Sequence, residues 1–365
     1  WYTGLEDVGD AYVLLVGDSA LIPHKVTSMA NSNGNFKTSD TLYTCLNNAY
    51  EPMFSIGRFP AGSQTECAAM VAKSVAYQNA PGVDPDFYST ATIAAHKGEH
   101  AYLSCAEEII DSVSYDNARL FLDRSGDTSE GLSDAVLSDV EFDNVGLALY
   151  RGHGAKKRWS SWDFDNDSLR ATDVTGLGNT VYNPVVVSVA CSNSNMAAEP
   201  ECIAVRWMET EAGAAAHIGA MAGSKRFANN TFAIDLMDRF QSDAPAPVAT
   251  AMQEALCETM LQKNSNASSR WNFEVYQCLG DPSMRVWNTA PTALYMSAPE
   301  EISLDEDFTI QVTDLNGLPV EGAVVAASDH SGVQDSAYTD ATGTATLNVR
   351  DCLKPVITLR AWTPL

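Results

Sequence analysis

The sequence has 365 residues, enough for two domains, with a 45% apolar content ordinary for a globular protein. Its formal net charge is −25, from 22 basic and 47 acidic residues; this argues against nucleic acid and anionic membranes as partners, since both require basic surface. No window approaches the roughly 18 uninterrupted apolar residues of a membrane helix, so membrane insertion is not expected. The acidic residues are scattered rather than blocked, as on a solvated surface suited to a salty or extracellular setting. The chain opens on Trp1 with no Met and no signal-type apolar stretch, and reads as a mature, processed or trimmed product.

In chain order, residues 12–16 (YVLLV) form a buried-type strand closed by the turn Gly17-Asp18. Residues 53–57 read as a short strand before Arg58-Phe59-Pro60, and 64–79 carry helical periodicity. A strand at 90–95, a helix at 103–114, a short strand at 120–122 and a helix at 129–140 follow. Two apolar strands come next: 145–151 stops at Gly152-His153-Gly154, and 184–190 stops at Cys191. A helix at 201–213, a small-residue strand at 214–221, and helices at 231–240 and 247–263 complete the series. Strands alternating with helices predict an α/β fold, a mostly parallel sheet flanked by helices, with reactive groups at the carboxyl ends of strands. After Trp287 the pattern changes. Residues 289–300 are rich in Pro and Ala, and from Glu301 short alternating strands are separated by Gly and Asp/Asn turns, the pattern of a small immunoglobulin-like β-sandwich. The expected domains are 1–288 and 289–365.

The chemistry concentrates at His153 and Cys191. A thiol attacks as the thiolate and needs a group that takes its proton, and histidine has the right pKa for that task. Taken singly, each residue reads as structural. The pairing of His-Gly and Ala-Cys, each ending an apolar strand, favours a catalytic dyad. The glycines flanking His153 leave room for a substrate backbone, and the amides of Gly154 and Cys191 are expected to form an oxyanion hole. Eight cysteines contain no CxxC pair, which argues against a zinc knuckle or a redox motif. With Cys191 free the remaining number is odd, and Cys257–Cys278 is the first disulfide to test. Asp163, Asp165 and Asp167 alternate like the start of a calcium loop. Ser168 in place of Gly and Val174 in place of Glu exclude an EF-hand and leave a looser calcium site or a solvated acidic loop. Trp159 and Trp162 read as walls of a substrate cleft or as packing.

These motifs together resemble the gingipain family of cysteine peptidases, within the caspase–legumain–gingipain clan. Tyr12–Asp18 with Ile22-Pro23, Ser39-Asp40, Ile56–Phe59, Tyr150–Gly154, Val189-Ala-Cys191-Ser-Asn and Leu279-Gly-Asp-Pro-Ser283 occur in the family's order, followed by an immunoglobulin-like domain. The resemblance implies a secreted endopeptidase with Cys191 as nucleophile and His153 as acid/base, working through a thioester, with no cofactor required for catalysis. It also implies that a leading segment of the family's domain is absent here, a piece that, once cleaved, would be a partner beside protein or peptide substrates. Structural calcium is common in the family. The family's assisting glutamate would align at Lys97, with Glu99 two residues on as its replacement and His96 and His100 flanking. The resemblance assigns Arg151, Val189, Trp159, Lys225, Arg226 and Phe227 to the substrate pocket. The aspartate that selects Arg or Lys at P1 would align near Leu103, where no acid stands, whereas Arg151 would attract an acidic P1. P1 preference therefore stays open, Arg151 paired with a carboxylate being the other reading of that residue. Two further readings remain: a sortase-like transpeptidase and a catalytically inactive adhesion or scaffold module.

Overall fold

A computed structural model describes residues 11–45, 50–78, 86–96, 100–112, 117–122, 136, 145–160, 168–178, 183–242, 245–288, 293–329, 332–350 and 356–362. The chain divides into two units, Trp1–Ala290 and Pro291–Leu365. The strands are β1 (Tyr12–Val16), β2 (Lys25–Ala30), β3 (Phe36–Ser39), β4 (Ser55–Phe59), β5 (Thr90–Ala95), β6 (Asn117–Leu122), β7 (Leu147–Arg151), β8 (His153–Ala155), β9 (Arg158–Ser160), β10 (Val185–Val189), β11 (Ala216–Ala220) and β12 (Tyr276–Leu279) in the first unit. The second holds β13 (Tyr295–Ser297), β14 (Asp307–Thr313), β15 (Val324–Asp329), β16 (Gly332–Tyr338), β17 (Thr344–Asn348) and β18 (Thr358–Trp362).

Eight strands of the first unit form one sheet in the order β1-β4-β12-β11-β10-β7-β5-β6. Every neighbouring pair is parallel except β11–β12. Strands β5, β7, β10 and β11 are buried at every residue, which is why their sequences run apolar without alternation: helices cover both faces. Arg151 breaks that rule as the single charged residue in β7. The helix 231–240 foreseen from periodicity starts earlier, at Arg226, because its polar first turn is held by hydrogen bonds rather than by apolar packing. The helix 103–114 likewise begins at His100 and buries Tyr102, Cys105, Ala106 and Ile109 at helical spacing. Within 129–140 only Val136 is described, and it is helical.

At the other side of the sheet, Arg58 on β4 holds Asp40 in a two-bond pair, Nε to Oδ2 at 2.7 Å and Nη2 to Oδ1 at 2.8 Å. Asp40 also accepts from His24 Nδ1 at 2.7 Å, and His24 Nε2 lies 2.9 Å from Ser19 Oγ. Because Arg58 already neutralises Asp40, this Ser-His-Asp chain ties the β1–β2 connection to the sheet. Lys73 similarly caps the helix Ile203–Glu209, donating to the carbonyls of Met208 at 2.6 Å and Thr210 at 2.7 Å.

The expected Cys257–Cys278 disulfide does not form: all seven described cysteines are free. Cys278 is buried in β12, which pushes its thiol well above the ordinary range, and burial raises Cys257 to about 11. They act as small hydrophobes in separate environments.

The second unit contains two three-stranded antiparallel sheets, β13-β14-β17 and β16-β15-β18. Strand β14 alternates exposed and buried residues, and its Phe308, Ile310 and Val312 meet Val325, Ala327 and Leu347 in an apolar core. This is the immunoglobulin-like sandwich pattern. Strands β13 and β16 lack a clean apolar alternation and were not foreseen.

Candidate active site

Strand register brings the two reactive residues together. Val189 of β10 pairs with Arg151 of β7. His153 and Cys191 each lie two residues beyond that pair, at the carboxyl ends of adjacent parallel strands, and such strands run about 4.8 Å apart. Ala95 of β5 pairs with Arg151 from the other side, so His96 enters the same corner. The apolar runs thus act as rulers: each supplies a rigid strand whose last residues project where a substrate can reach them.

His153 begins the β8–β9 hairpin and is exposed. Its ring meets His96 edge-to-face at 4.9 Å and Tyr102 at 5.3 Å between centroids. His96 Nδ1 lies 3.3 Å from the Ser160 carbonyl. The Tyr150 hydroxyl lies 2.8 Å from the carbonyls of both His153 and Ser160, fixing the base of the hairpin. The flanking glycines are required for a different reason than expected. A Cβ at Gly152 would collide with the Tyr150 hydroxyl and with His96, and one at Gly154 would sit 2.6 Å from the Cys191 carbonyl oxygen. Protein, rather than substrate, occupies the space that the missing side chains leave.

Cys191 is partly exposed, and its Sγ faces the Ser224 carbonyl at 3.7 Å and hydroxyl at 3.9 Å. The next residue, Ser192, is left-handed (φ 60°), a conformation that costs a non-glycine residue on the order of 1 kcal/mol. Its amide donates to the Ala222 carbonyl at 2.9 Å, which turns the chain sharply after the thiol. The Cys191 amide has no acceptor among the described residues. Trp159 donates its amide to Leu169 on the far side of β9, so Gly154–Trp159 is the non-hydrogen-bonded pair of the hairpin. The Gly154 amide therefore also points away from its ladder. Buried thiols elsewhere are chemically quiet: burial raises Cys105 to about 11 and Cys202 to about 12.

Arg151 is 1% exposed. Its Nε and Nη2 donate to Asn230 Oδ1 at 2.8 and 2.7 Å, Nη2 to the Arg226 carbonyl at 3.0 Å, and Nη1 to the Val189 carbonyl at 3.1 Å. Its guanidinium stacks over Tyr102, 4.2 Å from the ring centre. The reading in which a carboxylate pairs with Arg151 finds no such partner among the described residues. Tyr102 and Cys105, not Leu103, face it from the helix His100–Ser112, because Leu103 lies off the buried stripe.

The other expected pocket residues separate. Trp159 is no cleft wall: it is 1% exposed, stacked on Tyr150 at 4.7 Å, and its indole N–H donates to Ser188 Oγ at 2.8 Å. Val189 is buried and contributes its carbonyl. Lys225 is half-buried with its ammonium 6.0 Å from the Trp271 ring, Arg226 is exposed, and Phe227 is 66% exposed. Lys97, Glu99, Trp162, Asp163, Asp165 and Asp167 lie outside the described residues. Among the described residues, no group of three or more His, Cys, Asp or Glu is gathered to hold a metal ion.

Sequence reasoning missed the groups that hold the corner. Asn193 Nδ2 donates to the carbonyls of Ala155 at 2.6 Å and Arg158 at 2.9 Å, tying the His153 hairpin to the Cys191 turn. Asn229 accepts from Asn272 at 2.7 Å and Tyr276 at 2.9 Å and donates to Ser224 Oγ at 2.8 Å, fixing the residue that faces the thiol. The only available signal was proximity: Asn193 follows Cys191 by two positions.

The order of elements, the His-Gly hairpin and the Cys turn agree with a family match. The model of peptidase family C25 matches residues 6–287. The chain belongs to peptidase family C25. Among curated C25 relatives, gingipain R1 of Porphyromonas gingivalis is 24% identical over 367 residues, covering 93% of this chain and 34% of the relative. Gingipain R2 of the same organism is 24% identical over 356 residues, covering 89% and 44%. The chain thus spans about a third to under a half of the curated relatives it matches. The crystal structure of the Arg-specific cysteine proteinase gingipain R shares the fold, with TM-score 0.79 at 20% identity over 96% of this chain and 81% of that one. A complex of the pro- and mature domains of a Porphyromonas gingivalis gingipain matches with TM-score 0.78 at 20% identity over 97% and 82%.

Proposed function

We propose that this C25 chain is a cysteine endopeptidase in which Cys191 is the nucleophile and His153 the general acid/base. The observation that carries this reading is the β7–β10 register, which sets both residues two positions past the paired Arg151 and Val189. His153 accepts the Cys191 proton, and the thiolate attacks the peptide carbonyl carbon. The resulting oxyanion receives the Gly154 and Cys191 amides, both directed away from their own backbone partners. The His153 imidazolium gives its proton to the departing amine, the C–N bond breaks, and a thioester remains. Water then loses a proton to His153 and attacks the thioester; the Cys191 thiolate leaves and the acid product is released. Asn193, which ties the hairpin to the turn, is a positioning residue for this sequence of steps.

Cys191→Ala is expected to lower peptide cleavage by roughly 10³-fold or more, and His153→Ala by about 10²–10⁴-fold. Unchanged cleavage in Cys191→Ala overturns the dyad, and absence of cleavage by the wild type leaves the scaffold reading standing. An added amine acceptor that appears in a ligated product identifies transpeptidation in place of hydrolysis.

The arginine specificity of the gingipain R neighbour requires an anionic P1 pocket, and no carboxylate of the described residues faces Arg151. The acidic composition and the family support a place outside the cell. By analogy with the neighbouring pro- and mature-domain complex, a preceding segment is a partner of the site. Calcium held by Asp163, Asp165 and Asp167 would stabilise the protein, and chelation followed by a thermal melt tests it.

A further inference from the structure

Arg151 is chemically out of place in a buried strand. A guanidinium removed from water is destabilising unless an anion balances its charge. Among the described residues, every bond it makes goes to a neutral acceptor: the Asn230 amide oxygen and the carbonyls of Val189 and Arg226. Its remaining neighbours are the Tyr102 face and the Cys105 thiol. The segment that follows Ser224, whose hydroxyl is 3.9 Å from the Cys191 sulfur, also lends Arg151 the Arg226 carbonyl, so the guanidinium is held from the same stretch of chain that faces the thiol.

We infer that the site selects peptides carrying a carboxylate side chain at P1, read by Arg151; this rests on the peptidase reading above. The strand pairing supplies the position. Arg151 is held two residues before His153 and opposite Val189, two residues before Cys191, so the side chain next to the scissile bond falls beside it. A carboxylate gains more from the guanidinium than the present acceptors do, because bonds between two charged groups are shorter and roughly twice as strong as those to neutral partners. The planar fork also matches a carboxylate in two-bond geometry, and stacking on Tyr102 pre-orients it. A basic P1 residue would meet the like charge of Arg151 in a buried, low-dielectric corner, where repulsion is poorly screened. Arg151 acts here as a specificity residue; the bond-making and bond-breaking remain with Cys191 and His153.

The test compares fluorogenic peptides that differ only at P1: Asp, Asn, Glu, Gln, Ala, Arg and Lys. Asp against Asn isolates charge at nearly constant shape. Wild type is expected to cleave the Asp peptide on the order of 10- to 100-fold more efficiently in kcat/KM than the Asn peptide. Arg151→Gln should bring that ratio to about 1. Should that variant fold poorly, added salt should still reduce the ratio in wild type. Equal cleavage of Asp and Asn, or a preference for Arg or Lys, overturns the inference. A second readout is independent of turnover: the same peptides protecting the Cys191 thiol from iodoacetamide. Protection by the Asp peptide over the Asn peptide without any cleavage supports the acidic site and overturns the peptidase reading. Equal protection by both, or by neither, overturns the acidic site even where a neutral peptide is cleaved.

Discussion

Two buried arginines sit in the same sheet and are treated in opposite ways. Arg58 on β4 is fully buried and meets Asp40 through two charged bonds, with the carbonyls of Gly17 and Asp18 accepting from its other nitrogen. Its charge is balanced inside the protein. Arg151 on β7 is as deeply buried, yet its acceptors among the described residues are all neutral. The first is a closed ion pair that fixes the β1–β2 connection. The second retains an unbalanced charge beside a thiol. Equal burial therefore does not mean equal role; the identity of the acceptors separates a structural cation from one available to a ligand.

The comparison is sharpened most by breaking the closed pair. Asp40→Asn leaves Arg58 buried without its anion, and the expected loss is about 3–5 kcal/mol, read as a clear fall in Tm. A loss below about 1 kcal/mol would mean that the two corners do not differ. Removing Arg151 exposes no orphaned charge, so Arg151→Met is expected to destabilise by only about 1–2 kcal/mol while altering P1 selection. The pH dependence of the Asp40 corner follows from its titration. Burial favours the neutral acid, but the bonds to Arg58 and His24 outweigh it and hold the carboxyl below its ordinary value of 3.8. A carboxyl with a lowered folded pKa contributes stability that is fully present above about 3.8 and lost as pH falls below it. Acid melts of wild type should show that limb, and Asp40→Asn should lack it. At the reactive corner, Asn193→Ala removes both bonds to the hairpin; kcat should fall about 10- to 100-fold with little change in KM, since the variant disturbs the position of His153 rather than the pocket. The smallest expected effect is calcium removal: chelation should lower Tm by a few degrees, and no shift would assign the acidic stretch at 163–167 to ordinary solvated surface.

The two units also differ in how legible they were. Strands β1 and β5 have the bounds that their apolar runs suggest, but only β5 is buried at every residue; β1, expected as a buried-type strand, is the edge of the sheet with Leu14 and Val16 exposed, because an apolar run marks a strand without fixing its place in the sheet. The hairpin β2–β3 escaped notice because KVTSMA and FKTS carry no apolar alternation, and β12 because four residues directly follow the helix Ala267–Val275. In the second unit, β14 was evident from its buried–exposed alternation, whereas β16 is exposed or half-buried throughout and carries no such signal. Among site residues, His153 and Cys191 stood out because each ended an apolar run. Tyr102, Asn193, Asn229 and Asn230 did not, because single polar residues on helices and turns have no spacing that marks them. For Trp159 the sequence left cleft wall and packing both open, because proximity to His153 cannot tell which side of a hairpin faces the core; the structure packs it inside.

From the sequence alone came the α/β unit followed by a β-sandwich, and the pairing of a histidine and a cysteine at strand ends. Those depend on hydrophobic period and on residue chemistry, which are local properties of the chain. Tertiary structure decided the rest: that β7 and β10 are neighbours in register, that the glycines beside His153 make room for the Tyr150 hydroxyl and the Cys191 carbonyl, and that Arg151 meets only neutral acceptors among the described residues. Charge balance and backbone approach are set by residues distant in sequence, and only folding brings those residues together.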